Sequence, residues 1–258
     1  MPTDFLIECL DLVLTGNIFI FNDELFIQKI GTAMGTKVAP TYACLFMGNF
    51  EDEFLNEKWN GVLPKLWLRY IDDIFFLWNG SVEDLEEFMK EINCHNKHIK
   101  FTAQFDVKTK SVPFLDMQVS IDEKGFIQTD LFTKETAKCQ YLLPSSCHPS
   151  HITKNIPFSL AWRLLRICSN PRDFSKRLEE LKLDLSSRNH HSKIIDEALN
   201  KVKIFSRKKA LEKVSKEKEK KTPLITTYHP NLLSITSIVR KHWNVMTKED
   251  PRLKKVFP

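Results

Sequence analysis

Apolar positions along this chain recur with two different periods, and each change of period marks an element. From Thr3 to Thr15 (TDFLIECLDLVLT) the spacing is helical, and Gly16-Asn17 ends the predicted helix. IFIFNDELFIQ, Ile18 to Gln28, predicts a hairpin turning at Asn22-Asp23. GTAMGTKVAP, Gly31 to Pro40, predicts a glycine-containing loop. Pro40 suits a first helical turn, so the stretch from Thr41 to Asn56 predicts the next helix. Two short apolar runs, Leu66 to Leu68 and Ile74 to Trp78, predict strands on either side of Asp72-Asp73. An acidic amphipathic helix is predicted from Val82 to Ile92 and a strand from Ile99 to Asp106. Val112 to Ile121 and Phe126 to Phe132 predict a second hairpin across Glu123-Lys124-Gly125. This order implies an α+β fold, a largely antiparallel sheet with helices on one face.

Beyond about residue 137 only helical patterns remain, broken by Pro157, Pro171 and the polar run Ser186 to His191. Lys213 to Lys221 is a charge run, expected to be a solvated helix end or a linker, and one more amphipathic helix carries Arg240, Lys241 and Trp243. The expected organisation is therefore three segments, 1–136, 137–222 and 223–258. Charge follows the same division. Residues 1–136 hold 12 Lys and Arg against 22 Asp and Glu, and residues 137–258 hold 26 against 11. A basic half attracts a phosphate backbone, whereas an acidic half collects divalent cations; a solvated lysine-rich helix face is the plainer reading of the first.

No apolar run approaches the ~18 residues that a bilayer requires, and the chain begins acidic rather than basic, so no membrane partner and no secretory signal are expected. Six scattered cysteines in a chain of this length suggest reduced thiols and an intracellular setting, nuclear or cytoplasmic. Cys139, Cys147, His148 and His151 lie close in sequence, but their spacing fits no common zinc pattern.

The chemically unusual stretch is RYIDDIFF, Arg69 to Phe76, which places two carboxylates between apolar strands. An ionised carboxylate needs water, a cationic partner or a metal ion. A hairpin turn with hydrated Asp72 and Asp73 meets that need, and so does a Mg²⁺ site.

Tyr70-Ile71-Asp72-Asp73 lies one helix downstream of Gly35-Thr36-Lys37-Val38-Ala39-Pro40, and together these resemble the reverse transcriptases. In that family a Gly-x-x-x-[Ser/Ala]-Pro loop leads into a palm helix and Tyr-x-Asp-Asp forms the metal-bearing hairpin. IQKIGTAMGTKVAPTYACLFMGNFE, FLDMQV, HPSHITKNIPFSLAWRLLRICS and the PLITTYHPNL tail resemble, more narrowly, the Penelope-like element enzymes along nearly the whole chain. The resemblance implies a partial polymerase palm followed by an all-helical, thumb-like region. It implies an RNA template, a DNA primer and deoxynucleotide triphosphates as partners, and Mg²⁺ as cofactor, with two ions in a complete enzyme. Such ions would hold the attacking 3′-oxygen and the leaving pyrophosphate and neutralise their growing charge.

By the same resemblance Asp72 is the direct metal ligand and Asp73 its weaker partner, and Tyr70 faces the primer end or the incoming base. Gly31, Met34, Gly35 and Pro40 line the nucleotide pocket, with an ordinary helix-entry turn as the alternative for Gly31 and Gly35; Gln28 approaches the nucleotide too, although a polar residue ending a strand is its plainer description. Phe114, Leu115 and Asp116 correspond to a primer-positioning hairpin, for which a core hairpin is the alternative. Lys154, Arg163, Arg166, Arg172, Lys176 and Arg177 are the candidates for phosphate contact on the helical half, and Phe158 and Trp162 are expected in its core. One part of the pattern is missing. The first catalytic carboxylate, on a strand upstream of the glycine loop, has no counterpart in residues 1–30, because Asp4 and Asp11 sit on a helical pattern. The chain is therefore expected to be inactive alone, with a non-catalytic nucleic-acid-binding remnant of a retroelement as the alternative.

Overall fold

A computed structural model describes residues 2–106, 108–136, 140–213, 227–229 and 235–249, and the chain divides into two compact units, Met1–Asp106 and Val107–Pro258. In the first unit the elements run α1 (Thr3–Thr15), β1 (Ile18–Phe21), β2 (Glu24–Ile27), α2 (Ala39–Asp52), β3 (Leu66–Tyr70), β4 (Asp73–Leu77) and α3 (Val82–His95). A wide turn of π-helix, Glu53–Lys58, extends α2. Asn22 and Asp23 close β1 on β2 with φ of 50° and 62°, the left-handed pair that a two-residue hairpin loop needs. Ser81 caps α3. Its hydroxyl accepts from the Asp84 N–H while the Asp84 carboxylate accepts from the Ser81 N–H, so two orphan donors are satisfied at once.

Helical spacing puts Leu85, Phe88 and Ile92 on one side of α3, where Phe88 and Ile92 meet Phe50 and Phe54 in a core edged by Trp59, Trp67 and Trp78. By contrast α1, β1 and β2 bury no apolar side chain, so the first 27 residues add nothing to this core.

The second unit begins with a three-stranded antiparallel sheet, β5 (Ser111–Phe114), β6 (Met117–Ile121) and β7 (Ile127–Leu131). Helices α4 (Ser150–Ile167), α5 (Pro171–Ser187), α6 (Ser192–Lys203) and α7 (Arg207–Leu211) follow, and α8 (Ile235–Glu249) closes the described residues. The core of this unit is Leu164, Leu165, Leu178, Leu185, Ile195, Leu199 and Val202, drawn from three helices, with Leu131 of β7 packed at its edge.

The fold is α+β, as expected, but several elements differ from the sequence pattern. There is no single sheet; the described strands form two separate hairpins and one three-stranded sheet. Ile99–Asp106 is not a strand, because Asn93 takes the place of a neighbouring strand. Its side chain accepts from the Phe101 N–H at 2.6 Å and donates to the Phe101 carbonyl at 3.0 Å. Val112–Ile121 is two strands, since Leu115 adopts φ 55° and the chain reverses at Leu115-Asp116 without a glycine to announce it. Pro157 lies inside α4 rather than ending it. An interior proline costs ~3 kcal/mol, and here the ring is fully buried against the core, which offsets part of that cost.

The packing division at Asp106 also comes 30 residues earlier than the change of charge at 136, because β5–β7 pack with the helices that follow them. The opposition of charge survives the shift: residues 1–106 carry 8 cationic and 17 acidic side chains, and 107–258 carry 30 and 16. Residues 214–221 and half of the 223–258 segment lie outside the described residues.

Candidate functional site

The Asp72-Asp73 tip sits where the sequence pattern puts it, at the turn of a hairpin. Tyr70 pairs with Asp73, which leaves Ile71 and Asp72 as the two loop residues. Ile71 adopts φ 58°, a left-handed conformation that disfavours a β-branched side chain by roughly 1–2 kcal/mol. Ile71, Asp72 and Asp73 are all exposed, as is Tyr70. Neither carboxylate hydrogen-bonds or ion-pairs with any described residue.

The nearest cation on the strand is not available to them. Arg69 Nε donates to Glu51 Oε1 at 2.7 Å in a pair that is largely buried, and Trp67 Nε1 donates to the same oxygen at 2.9 Å. The Glu51 hydrogen bond raises the Arg69 pKa further above its ordinary value, so the guanidinium is permanently charged and permanently occupied. Remaining Arg69 N–H groups donate to the carbonyls of Cys44 and Ile71, both at 3.4 Å. The acidic hairpin is thereby fastened along α2, the helix that the glycine loop begins.

In that loop Gly31 and Gly35 adopt φ of 81° and 97°, which only glycine occupies freely. A Cβ on Gly35 would meet nothing within 4 Å, so its surroundings are open. Met34 is fully exposed, and Pro40 is exposed in the first turn of α2. Gln28 is turned back on its own loop, donating from Nε2 to the Ile30 carbonyl at 3.0 Å.

Two carboxylates suit one partly hydrated Mg²⁺, which takes hard oxygen donors and keeps several waters. They do not suit a pair of ions held by protein. Among the described residues no group of three or more His, Cys, Asp or Glu side chains converges, and this includes Cys147, His148 and His151. Cys139 lies outside the described residues. The described cysteines are all free thiols.

On the second unit the six candidate cations separate into two groups. Arg177 is committed: it donates to Asp130 at 2.6 Å, to Glu180 at 2.9 Å and to the Leu131 carbonyl at 3.1 Å, tying α5 to β7. Burial raises the Asp130 pKa, but the Arg177 hydrogen bonds, the Leu131 N–H and the Cys168 thiol outweigh it and hold the carboxyl below its ordinary value. Cys168 is pushed up to about 12, first by burial and then by that same carboxylate. Arg163 pairs with Asp116 across the solvent-exposed side of α4, with Nε 2.9 Å from Oδ2, so the Leu115-Asp116 turn is fastened to the helices. Lys154, Arg166, Arg172 and Lys176 are exposed, and their side chains make no hydrogen bond or ion pair with the described residues.

The connection between α5 and α6 is built by a left-handed residue. Asn189 has φ 61°; its N–H donates to the Ser186 carbonyl at 3.0 Å, and the His190 N–H donates to the Leu185 carbonyl at 3.1 Å. This pair of hydrogen bonds ends the helix and turns the chain sharply. His190 Nε2 lies 2.9 Å from the Leu142 carbonyl and Arg188 donates to the Tyr141 carbonyl, which latches the segment before α4 onto the turn. Three short-linked helices with a latched leading segment are therefore one structural piece.

Residues 140–200 match the animal helix-turn-helix domain. The match takes in the latched segment, α4, α5 and most of α6. No curated protein and no solved structure matches the chain. Among the described residues no helix is long and apolar enough to cross a membrane. The residues that sequence reasoning missed here are Asp130, Asn189 and His190. Asn189 follows a polar run at a helix end and was legible as a left-handed cap, whereas the partners of Asp130 and His190 lie 47 and 48 residues away and leave no local signal.

Proposed function

We propose that this chain carries the palm hairpin and the basic helical part of a Penelope-like reverse transcriptase, and that by itself it binds duplex nucleic acid without extending a primer. The reading rests on one observation: the Tyr70–Asp73 tip presents two unpartnered carboxylates on a strained turn, beside a helix entered through an open glycine loop. Mg²⁺, when bound by Asp72 and Asp73, would supply charge neutralisation at a primer end, with the template and deoxynucleotide partners that such chemistry requires. Among the described residues no third donor joins Asp72 and Asp73, which is the reason for expecting no catalysis and equally favours a nucleic-acid-binding remnant of such an element.

Duplex binding falls to the second unit. Arg172 and Lys176 project from the first two turns of α5, and Lys154 and Arg166 from α4, all free to meet phosphates. An RNA–DNA hybrid is close to A-form, so contact is to backbone and shape rather than to base edges. A helix-turn-helix piece is compatible with this, since phosphate contacts position such a motif.

Two measurements test the reading. Primer extension on an RNA template with Mg²⁺ is expected to give no product; template-dependent product that disappears in Asp72→Ala would show the chain to be a polymerase as it stands. Duplex affinity is expected to fall steeply with salt, and Arg172→Gln/Lys176→Gln is expected to weaken it on the order of tenfold and to flatten the log–log salt slope by about two. A variant slope equal to that of the wild type would remove α5 from the interface.

A further inference from the structure

Phe158 and Trp162 stand one helical turn apart on α4, their rings stacked at 5.8 Å between centroids and 24° between planes. Phe205, between α6 and α7, meets Trp162 edge-on at 5.1 Å. All three are half-buried: they pack against the helical core but keep part of their surface in solvent, which differs from the core position expected of Phe158 and Trp162. Both ends of this row of rings are capped by lysines. Lys201 Nζ lies 5.1 Å from the Phe158 centroid and Lys209 Nζ 5.2 Å from that of Phe205. Both lysines are exposed, and neither forms an ion pair with a described residue.

We infer that this row is a stacking platform for unpaired bases, and that the partner of this face is single-stranded nucleic acid. An ammonium over a half-exposed ring is held only weakly, and its four-carbon stem is flexible. A base stacked on an aromatic ring is held more strongly than that. A base therefore displaces the lysine from the ring, and the freed ammonium turns to the adjoining phosphate, so both groups gain a better partner. The rings at positions 158 and 205 provide two such slots, one at each end of the row.

Charge selects the same ligand. Residues 201–213 contain six Lys and Arg and one Glu, a denser positive stretch than residues 140–200, where nine face six acidic side chains. Lys203 and Lys208 are exposed there, and their side chains make no hydrogen bond or ion pair with the described residues. A duplex gains little from the platform, because its bases already stack on one another and offer only edges and backbone. Phe158 and Trp162 lie inside the region that matches the helix-turn-helix domain, whereas Phe205 and the lysines lie beyond it, and the inference does not depend on the duplex-binding reading.

The test uses the full chain with two probes, a 20-nucleotide oligodeoxythymidylate and a blunt 20-base-pair DNA duplex, followed by fluorescence anisotropy. Phe205→Leu, which keeps an apolar side chain of similar bulk, is expected to weaken single-strand binding about tenfold and duplex binding less than twofold. Equal weakening on both probes, or unchanged single-strand binding, overturns the platform. Trp162→Phe supplies a second readout that does not depend on a fold-destabilising change: oligonucleotide is expected to quench wild-type tryptophan emission, and most of that quenching is expected to vanish in Trp162→Phe while binding persists. Quenching that survives in Trp162→Phe places the strand elsewhere and rejects the inference. Should duplex binding fail while Phe205-sensitive single-strand binding remains, the duplex reading falls and this one stands. Retained, salt-sensitive duplex binding with no effect of Phe205→Leu leaves the duplex reading standing and overturns the platform.

Discussion

Phe88→Ala is expected to lower the stability of the first unit by roughly 4 kcal/mol, a large fraction of what holds a unit of this size folded. Phe88 is completely buried and lies at the centre of an aromatic cage. Its ring centroid is 5.6 Å from Phe54, 5.4 Å from Trp59, 6.1 Å from Trp67, 6.4 Å from Phe76 and 5.3 Å from Trp78. Those partners come from the π-helical turn, the segment after it, β3, β4 and the residue that follows β4, so one side chain closes the core from every side. Rigid rings collapse poorly into a cavity, which places the cost towards the upper end for a Phe→Ala change. Three tryptophans report directly on this cage. The variant is expected to show red-shifted emission from them at a denaturant concentration where the wild type is still folded, with the helical circular dichroism of α4–α6 largely kept. Emission that stays blue-shifted, with a urea midpoint close to the wild-type one, would mean that the cage is not what holds the acidic hairpin. The functional consequence lies in Trp67 and Phe76, which face each other in the register of β3 and β4 and connect this core to the Asp72-Asp73 turn.

Arg177→Met is expected to destabilise the second unit by about 3 kcal/mol at neutral pH. Methionine keeps most of the side-chain bulk but leaves Asp130, a half-buried carboxylate, without its principal donor, and breaking such a pair on one side costs more than the pair itself contributes. Its pH dependence has a definite sign. In the wild type the Asp130 carboxyl lies below its ordinary value, so its contribution is complete above the unfolded value of about 4 and is lost as pH falls through the folded one. Without Arg177 the carboxyl loses its largest lowering influence while burial still raises it, so it moves up relative to the wild type. Protonation then relieves the variant, so the stability gap between wild type and variant is expected to narrow steadily from about pH 7 to about pH 3.5. Denaturation curves followed by circular dichroism at several pH values measure it. A gap that stays constant across that range would assign the effect of Arg177 to packing rather than to its charge.

The two salt links that matter most, Glu51 to Arg69 and Asp130 to Arg177, span 18 and 47 residues and pass unnoticed along the chain. Each takes a cation out of circulation. Arg69 stands two residues from Ile71 and looks in sequence like the natural partner of the acidic tip, yet it is held by α2. Arg177 reads as one more phosphate ligand on a basic helix, yet it is a strut between helix and sheet. Local pattern assigns a charge to a face; it does not say which opposite charge arrives from elsewhere in the fold.

Features set by nearest neighbours could be read directly from residue order: the buried stripe of α3, the left-handed Asn22-Asp23 turn, the glycine-to-proline entry to α2 and the place of Asp72-Asp73 at a hairpin tip. These depend on side-chain periodicity and on backbone preferences that act over a few residues. Long-range packing, in contrast, settled that Ile99–Asp106 takes an asparagine side chain instead of a strand as its partner, that Pro157 continues a helix, and that Leu115 turns a chain without glycine. It also brought Phe158, Trp162 and Phe205 together as one half-exposed row. In each case the energy that settled the matter, burial against a distant element or a hydrogen bond across the fold, exceeded the local preference and came from residues that sequence order keeps apart.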